Sequence, residues 1–97
     1  MSDTALSRVH IWVRGRVQGV GFRAFVQQSA NQLGLTGWVR NVGWDQVETI
    51  AEGDKTVLEK FIEAVRTGPR ASHVEDARVE WETASGEFDS FQVRSSR

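Results

Sequence analysis

The chain has 97 residues, of which 39% are hydrophobic and 26% charged, and its formal net charge is −1. That length supports one domain around a single core, and the near-neutral balance argues against nucleic-acid binding through bulk positive charge. Without cysteine there can be no disulfide, thiolate metal site or cysteine nucleophile. Residues Met1 to Ser7 hold no apolar run of signal-peptide length, and no stretch is long and apolar enough to span a bilayer. The expectation is therefore a cytoplasmic protein without a membrane partner, one domain over 1–97, with 1–7 flexible.

From Arg8 to Arg14, Val9, Ile11 and Val13 alternate with His10, Trp12 and Arg14, which predicts a strand with one face on a core. The stretch Gly15-Arg16-Val17-Gln18-Gly19-Val20-Gly21-Phe22-Arg23 follows. Its three glycines free the backbone for a sharp turn just before a helical pattern. Such a turn aims successive N–H groups at one point near a helix N-terminus, where unpaired donors and the helix dipole favour an anion. Arg23 falls in the first helical turn, where a bare cation opposes the dipole and a bound anion would relieve the conflict. A glycine-rich connector with an exposed arginine has the same spacing, so the spacing alone does not separate the two.

Phe22, Phe25, Val26, Ser29, Ala30 and Leu33 lie on one helical stripe that Gly34 and Leu35 close as a C-terminal cap. Thr36 to Asn41 and Gln46 to Glu52 read as two strands joined by the short turn Val42-Gly43-Trp44-Asp45. Gly53 and Asp54 supply a turn and an N-cap. Val57, Leu58, Phe61, Ile62 and Val65 then form a second stripe, stopped by Gly68-Pro69. Val74 to Thr83 and Phe88 to Val93 are the last strands. This order predicts an α+β fold: a ferredoxin-like β-α-β-β-α-β sandwich, two helices on one face of a mainly antiparallel sheet, with a short C-terminal strand.

Charge is unevenly distributed. Between Thr4 and Trp44 there is no Asp or Glu but five arginines: Arg8, Arg14, Arg16, Arg23 and Arg40. From Asp45 onward 12 acidic residues face 7 basic ones, so a positive field around the glycine loop is expected. All of those cations are arginine, whose planar fork suits phosphate or carboxylate. Acidic residues after Asp45 show no metal-ligand spacing, and His10 and His73 lie outside both the loop and the Asn41 region.

With these elements in place, the sequence resembles the acylphosphatase family. The resemblance rests on Gly15, Val17-Gln18-Gly19-Val20, Phe22-Arg23, Leu33-Gly34-Leu35, Gly37-Trp38-Val39-Arg40-Asn41, Val47-Glu48, Glu52-Gly53 and Gly68-Pro69, and it covers most of the chain. It implies hydrolysis of the carboxyl–phosphate bond of acyl phosphates to a carboxylate and inorganic phosphate, with no metal and no organic cofactor. It further implies that Arg23 binds the phosphoryl group together with the backbone amides of Gln18, Gly19, Val20, Gly21 and Phe22, and that Asn41 orients the attacking water. Where family members often carry an acidic residue and glycine after the asparagine, this chain has Trp44 and Asp45. Of the four tryptophans, only Trp44, on a turn, is expected near substrate; those in strands read as packing.

The chemistry suits so few groups. A carboxylate leaving group, with a conjugate-acid pKa of about 4 to 5, departs at neutral pH without a general acid. A non-catalytic module binding phosphate or carbamoyl phosphate is the alternative for the same fold. RNA binding ranks last, because Gln46 to Glu52 lacks stacking aromatics. No heptad or association stripe suggests more than a monomer, and the partner expected is a small-molecule acyl phosphate.

Overall fold

A computed structural model of the protein describes residues 6–97. Its elements are β1 (Leu6–Arg16), α1 (Phe22–Gln32), β2 (Thr36–Val42), β3 (Gln46–Asp54), α2 (Lys55–Thr67), β4 (His73–Thr83) and β5 (Phe91–Val93). They form one sheet in the order β4-β1-β3-β2-β5, antiparallel throughout except where β5 runs parallel to β2. The expected fold is present, with both helices packed on one face. Leu6 and Ser7, expected to be flexible, instead pair with Asp54 and Gly53 in β1; the remainder of that expectation, 1–5, lies outside the described residues. No helix is long and apolar enough to cross a membrane among the described residues.

The inward side of β1, Val9, Ile11 and Val13, is buried against Val26 and Ala30 of α1 and Leu58, Phe61 and Val65 of α2. Each of those side chains is fully removed from water, and this burial is the main favourable term of the fold. Helix α1 ends as its sequence requires: the Leu35 amide donates to Ala30 O at 2.9 Å, while the Leu35 side chain is buried. At the start of α2, the Asp54 carboxylate accepts from the Thr56 amide at 2.8 Å.

The other face of the sheet reconciles the basic and acidic halves of the chain. Antiparallel register sets β1 between β3 and β4, so Arg8 lies opposite Glu52 on one side and Glu82 on the other. Arg8 Nε is 2.7 Å from Glu52, Arg40 Nη2 is 2.7 Å from Glu48, and His10 Nε2 is 2.6 Å from the same Glu48 carboxylate. Trp38 is buried here beneath the guanidinium groups of Arg40 and Arg94, centred 4.7 and 4.9 Å from its ring. His10 stacks on Trp12 at 3.7 Å. Of the strand tryptophans expected to pack, Trp38 is buried and Trp12 is stacked on His10, whereas Trp81 on the outer strand is 42% exposed with the Lys55 ammonium 5.4 Å from its ring centre.

The last strand is shorter than the expected Phe88 to Val93. The segment before it turns back toward β3, where the amides of Ser85 and Gly86 donate to the Glu52 carboxylate at 2.8 and 3.0 Å. Pairing along β2 nevertheless continues beyond β5. Arg94 N donates to Val39 O, Arg97 N to Asn41 O, and Gly43 N to Arg97 O, all within 2.9 Å.

Two predictions follow from this packing. At Gly15 the sheet register shifts between β1 and β4, φ is +137°, and an added Cβ would stand 2.2 Å from the His73 carbonyl oxygen. Gly15→Ala should therefore lose about 2 kcal/mol or more, read as a lower urea midpoint, because backbone rather than a mobile side chain blocks the methyl group. The second concerns acid. Burial by itself raises the Glu48 and Glu52 carboxyl pKa values, but hydrogen bonds from His10 and Arg40 to Glu48 outweigh it. For Glu52 the Ser85 amide, Arg8 and the Gly86 amide do the same, and both groups end below the ordinary 4.5. Each carboxyl then binds its proton more weakly in the folded chain than in the unfolded one, so stability should hold above about 4.5 and fall as pH drops below it. Glu52→Gln should flatten that decline in denaturation midpoints measured against pH.

Candidate active site

The glycine loop is held at both ends by core side chains. Val17 and Phe22 are buried, and Gln18 to Gly21 form the span between them. Gly19 and Gly21 take φ of +73° and +76°, a left-handed conformation that costs a side-chain-bearing residue roughly 1–2 kcal/mol. None of the described residues lies within 4 Å of a Cβ built on either, so conformation rather than space demands glycine there. The backbone N–H groups of Gln18 to Gly21 have no acceptor within the protein among the described residues. Gly21 is also the N-cap of α1, which has no capping side chain and no acidic residue in its first turn. A row of free donors thus meets the positive end of a helix dipole.

Gly19, Gly21, Arg23 and Asn41 line one open pocket of about 290 Å³, whereas Gln18 lines a different cleft and Val20 and Phe22 do not line this pocket. The volume lies at the small end of the range for ligand sites. Arg23 Nη1 donates to the Arg94 carbonyl oxygen at 3.3 Å, which steadies the guanidinium while leaving its other N–H groups for a ligand. Asn41 sits at the end of β2, opposite Val47, with its carbonyl engaged by the Arg97 amide. Its side-chain carboxamide has no protein partner among the described residues. Val20 and Phe22, whose amides belong to the same loop, pack their side chains against the core.

The expected positive field is more local than the sequence suggested. Arg8, Arg40 and Arg14 are matched by Glu52, Glu48 and Glu75, the last at 3.4 Å, because cross-strand register sets the acidic half of the chain beside the basic one. Arg16 and Arg23 have no acidic partner among the described residues. Arg23 alone of the two lines this pocket, so the uncompensated charge is concentrated at the loop.

The structure also adds to and subtracts from the expected site. Ala24 and Gln27 of α1 and Val93 of β5 complete the pocket wall. Val93 could not be assigned from sequence, since its place depends on β5 adding to β2. Trp44 is 84% exposed and lines a different cleft with Arg14, Arg16 and Asp45, so it does not join the Arg23–Asn41 pocket. No Asp, Glu, His or Lys among the described residues lines the pocket. Among the described residues no group of three or more His, Cys, Asp or Glu is placed to hold a metal ion.

A protein-family model described as Acylphosphatase matches residues 9–93. The chain belongs to the acylphosphatase family. A curated acylphosphatase of Salinibacter ruber is 48% identical over 87 residues, covering 90% of this chain and 92% of that protein. The crystal structure of the Bacillus subtilis acylphosphatase superposes with a TM-score of 0.87 at 41% identity, covering 91% of this chain and 98% of that one. The chain is also similar to part of the T. kodakarensis HypF structure. There the TM-score is 0.79 and the identity 32%, across 92% of this chain but only 12% of HypF.

The geometry predicts where an anion binds. Titrating inorganic phosphate should shift the amide resonances of Gly19, Val20, Gly21 and Arg23 in an NMR spectrum of the wild type. Arg23→Ala should weaken that titration about tenfold or more, since a hydrogen bond to a charged group contributes about 1.5–3 kcal/mol.

Proposed function

We propose that this chain hydrolyses acyl phosphates, with residues 1–97 acting as a single catalytic domain. The observation that carries this reading is that Gly19 and Gly21 of the loop, an arginine without an acidic partner and a carboxamide without a protein partner among the described residues line one small pocket. The phosphoryl oxygens are held by the amides of Gln18, Gly19, Val20, Gly21 and Phe22 and by Arg23. Phosphoryl transfer is driven chiefly by alignment and by stabilising charge on those oxygens, which these donors supply. Asn41 orients a water opposite the leaving oxygen. That water attacks phosphorus, the bond from phosphorus to the bridging oxygen breaks, and its electrons leave with the carboxylate.

One water proton passes to a phosphate oxygen of the substrate itself. This agrees with a pocket wall in which the described residues offer no side-chain base. The leaving carboxylate needs no general acid, because its conjugate acid has a pKa of only about 4 to 5. Val93 and Ala24 offer an apolar surface to the acyl group beside the polar phosphate cradle.

We further propose a cytoplasmic monomer. The outer strand β4 carries Glu75, Asp76, Arg78, Glu80 and Glu82, and a charged edge of this kind disfavours strand addition by a second copy. A binding module without turnover is the competing reading, favoured by the presence of the same fold as a small part of HypF.

Phosphate release from benzoyl phosphate, measured with a chelator present, tests these readings. The wild type should turn over without added metal, and Arg23→Ala and Asn41→Ala should each lose at least about tenfold in rate. A folded wild type that binds phosphate yet releases none from benzoyl phosphate would establish the binding module instead.

A further inference from the structure

Gln18 contributes more to this region than its backbone amide. Its side-chain Nε2 lies 2.9 Å from Gln46 O, 3.1 Å from Gly43 O and 3.3 Å from Val42 O. Val42 ends β2, Gln46 begins β3 and Gly43 lies in the turn between them, so the three acceptors surround the turn that starts two residues after Asn41. A carboxamide nitrogen has two hydrogens, so three carbonyl oxygens share them. The cluster of oxygens suits a donor and repels an acceptor. One side chain of the phosphate loop thus clasps the turn that follows the proposed water-orienting residue.

We propose that Gln18 is a positioning residue, whose carboxamide holds the Asn41-bearing turn at a set distance from the amide cradle by donating to the Val42, Gly43 and Gln46 carbonyls. This rests on the reading of Asn41 given above. The cradle itself has other supports, since Val17 and Phe22 are buried at its two ends and Gly15 N donates to Asp45 O at 2.9 Å at its base. Phosphate binding and water placement are therefore separable: loosening the clasp moves the turn relative to the loop without dismantling the loop. Displacements of about 1 Å between reacting groups can lower a rate about 100-fold.

The test compares Gln18→Leu, which removes the donors, with Gln18→Glu, which sets a carboxylate against three carbonyl oxygens. The readouts are kcat and KM for benzoyl phosphate and the inhibition constant of inorganic phosphate, at mildly acid and neutral pH, with urea midpoints to verify folding. Gln18→Leu should lower kcat about 10- to 100-fold while the phosphate inhibition constant stays as in the wild type. For Gln18→Glu, kcat relative to the wild type should rise as pH falls, because the protonated carboxyl regains one donor. A merely structural role would not produce that pH-dependent ratio.

Wild-type kcat in Gln18→Leu, equal losses of kcat and phosphate affinity, or a pH-independent ratio for Gln18→Glu would each overturn the proposal. If Gln18→Leu does not fold, the Gln18→Glu ratio decides. Asn41→Ala separates the two levels. An inactive Asn41→Ala beside a fully active Gln18→Leu removes the clasp alone, whereas an active Asn41→Ala removes the water-orienting role on which the clasp depends.

Discussion

Much of this structure turns on an electrostatic imbalance at the junction of the glycine loop and α1. The helix begins at Phe22 with no capping side chain and no acid in its first turn, and its second residue is Arg23. Free N–H groups, the dipole and a guanidinium therefore place positive potential at one point. Left to itself, such a helix start is unfavourable. Its tolerance comes from neighbouring hydrophobic anchors, because Phe22, Val26 and Ala30 are buried and fix the helix whatever its first turn prefers. An anion would complement that potential, and the pocket beside Arg23 has room for one of modest size.

The interleaving of the basic and acidic halves makes that imbalance local. β1 brings arginine and histidine between β3 and β4, whose facing residues are acidic, and the resulting pairs cover the open face of the sheet. Charges neutralised in this way do not sum into a broad basic surface, and at physiological salt the remaining field extends only about 8 Å. Attraction is thus confined to small anions that can enter the loop, in keeping with a small-molecule site rather than a polyanion surface.

The C-terminal segment ties the start of α1 to β2. Val93 enters the pocket wall, the Arg94 carbonyl accepts from Arg23, and the amide of Arg97 donates to Asn41. Backbone groups of the tail thereby restrain the Arg23 side chain and the Asn41 backbone. Preorganisation of this sort matters where no side-chain acid or base shares the chemistry, because alignment and electrostatics must then account for most of the acceleration.

Local periodicity made most of this fold legible. Val9, Ile11 and Val13 could only be one face of a strand, and Leu58, Phe61, Ile62 and Val65 one face of a helix, because period and chemistry agree at those positions. The glycine loop and the Gly37–Asn41 run likewise marked the candidate site by residue type and spacing. What adjacency along the chain could not settle was partnership at a distance. Arg23 and Arg94 are 71 residues apart, Gln18 and Gln46 are 28, and Arg8 and Glu52 are 44. Sheet register decided those pairings, neutralised three of the five arginines, directed Trp44 to another cleft and brought Val93 to the pocket. Residue type and spacing determine what each segment can do, whereas strand order and register determine which charges and donors remain unsatisfied, and it is the unsatisfied ones that are left to meet a ligand.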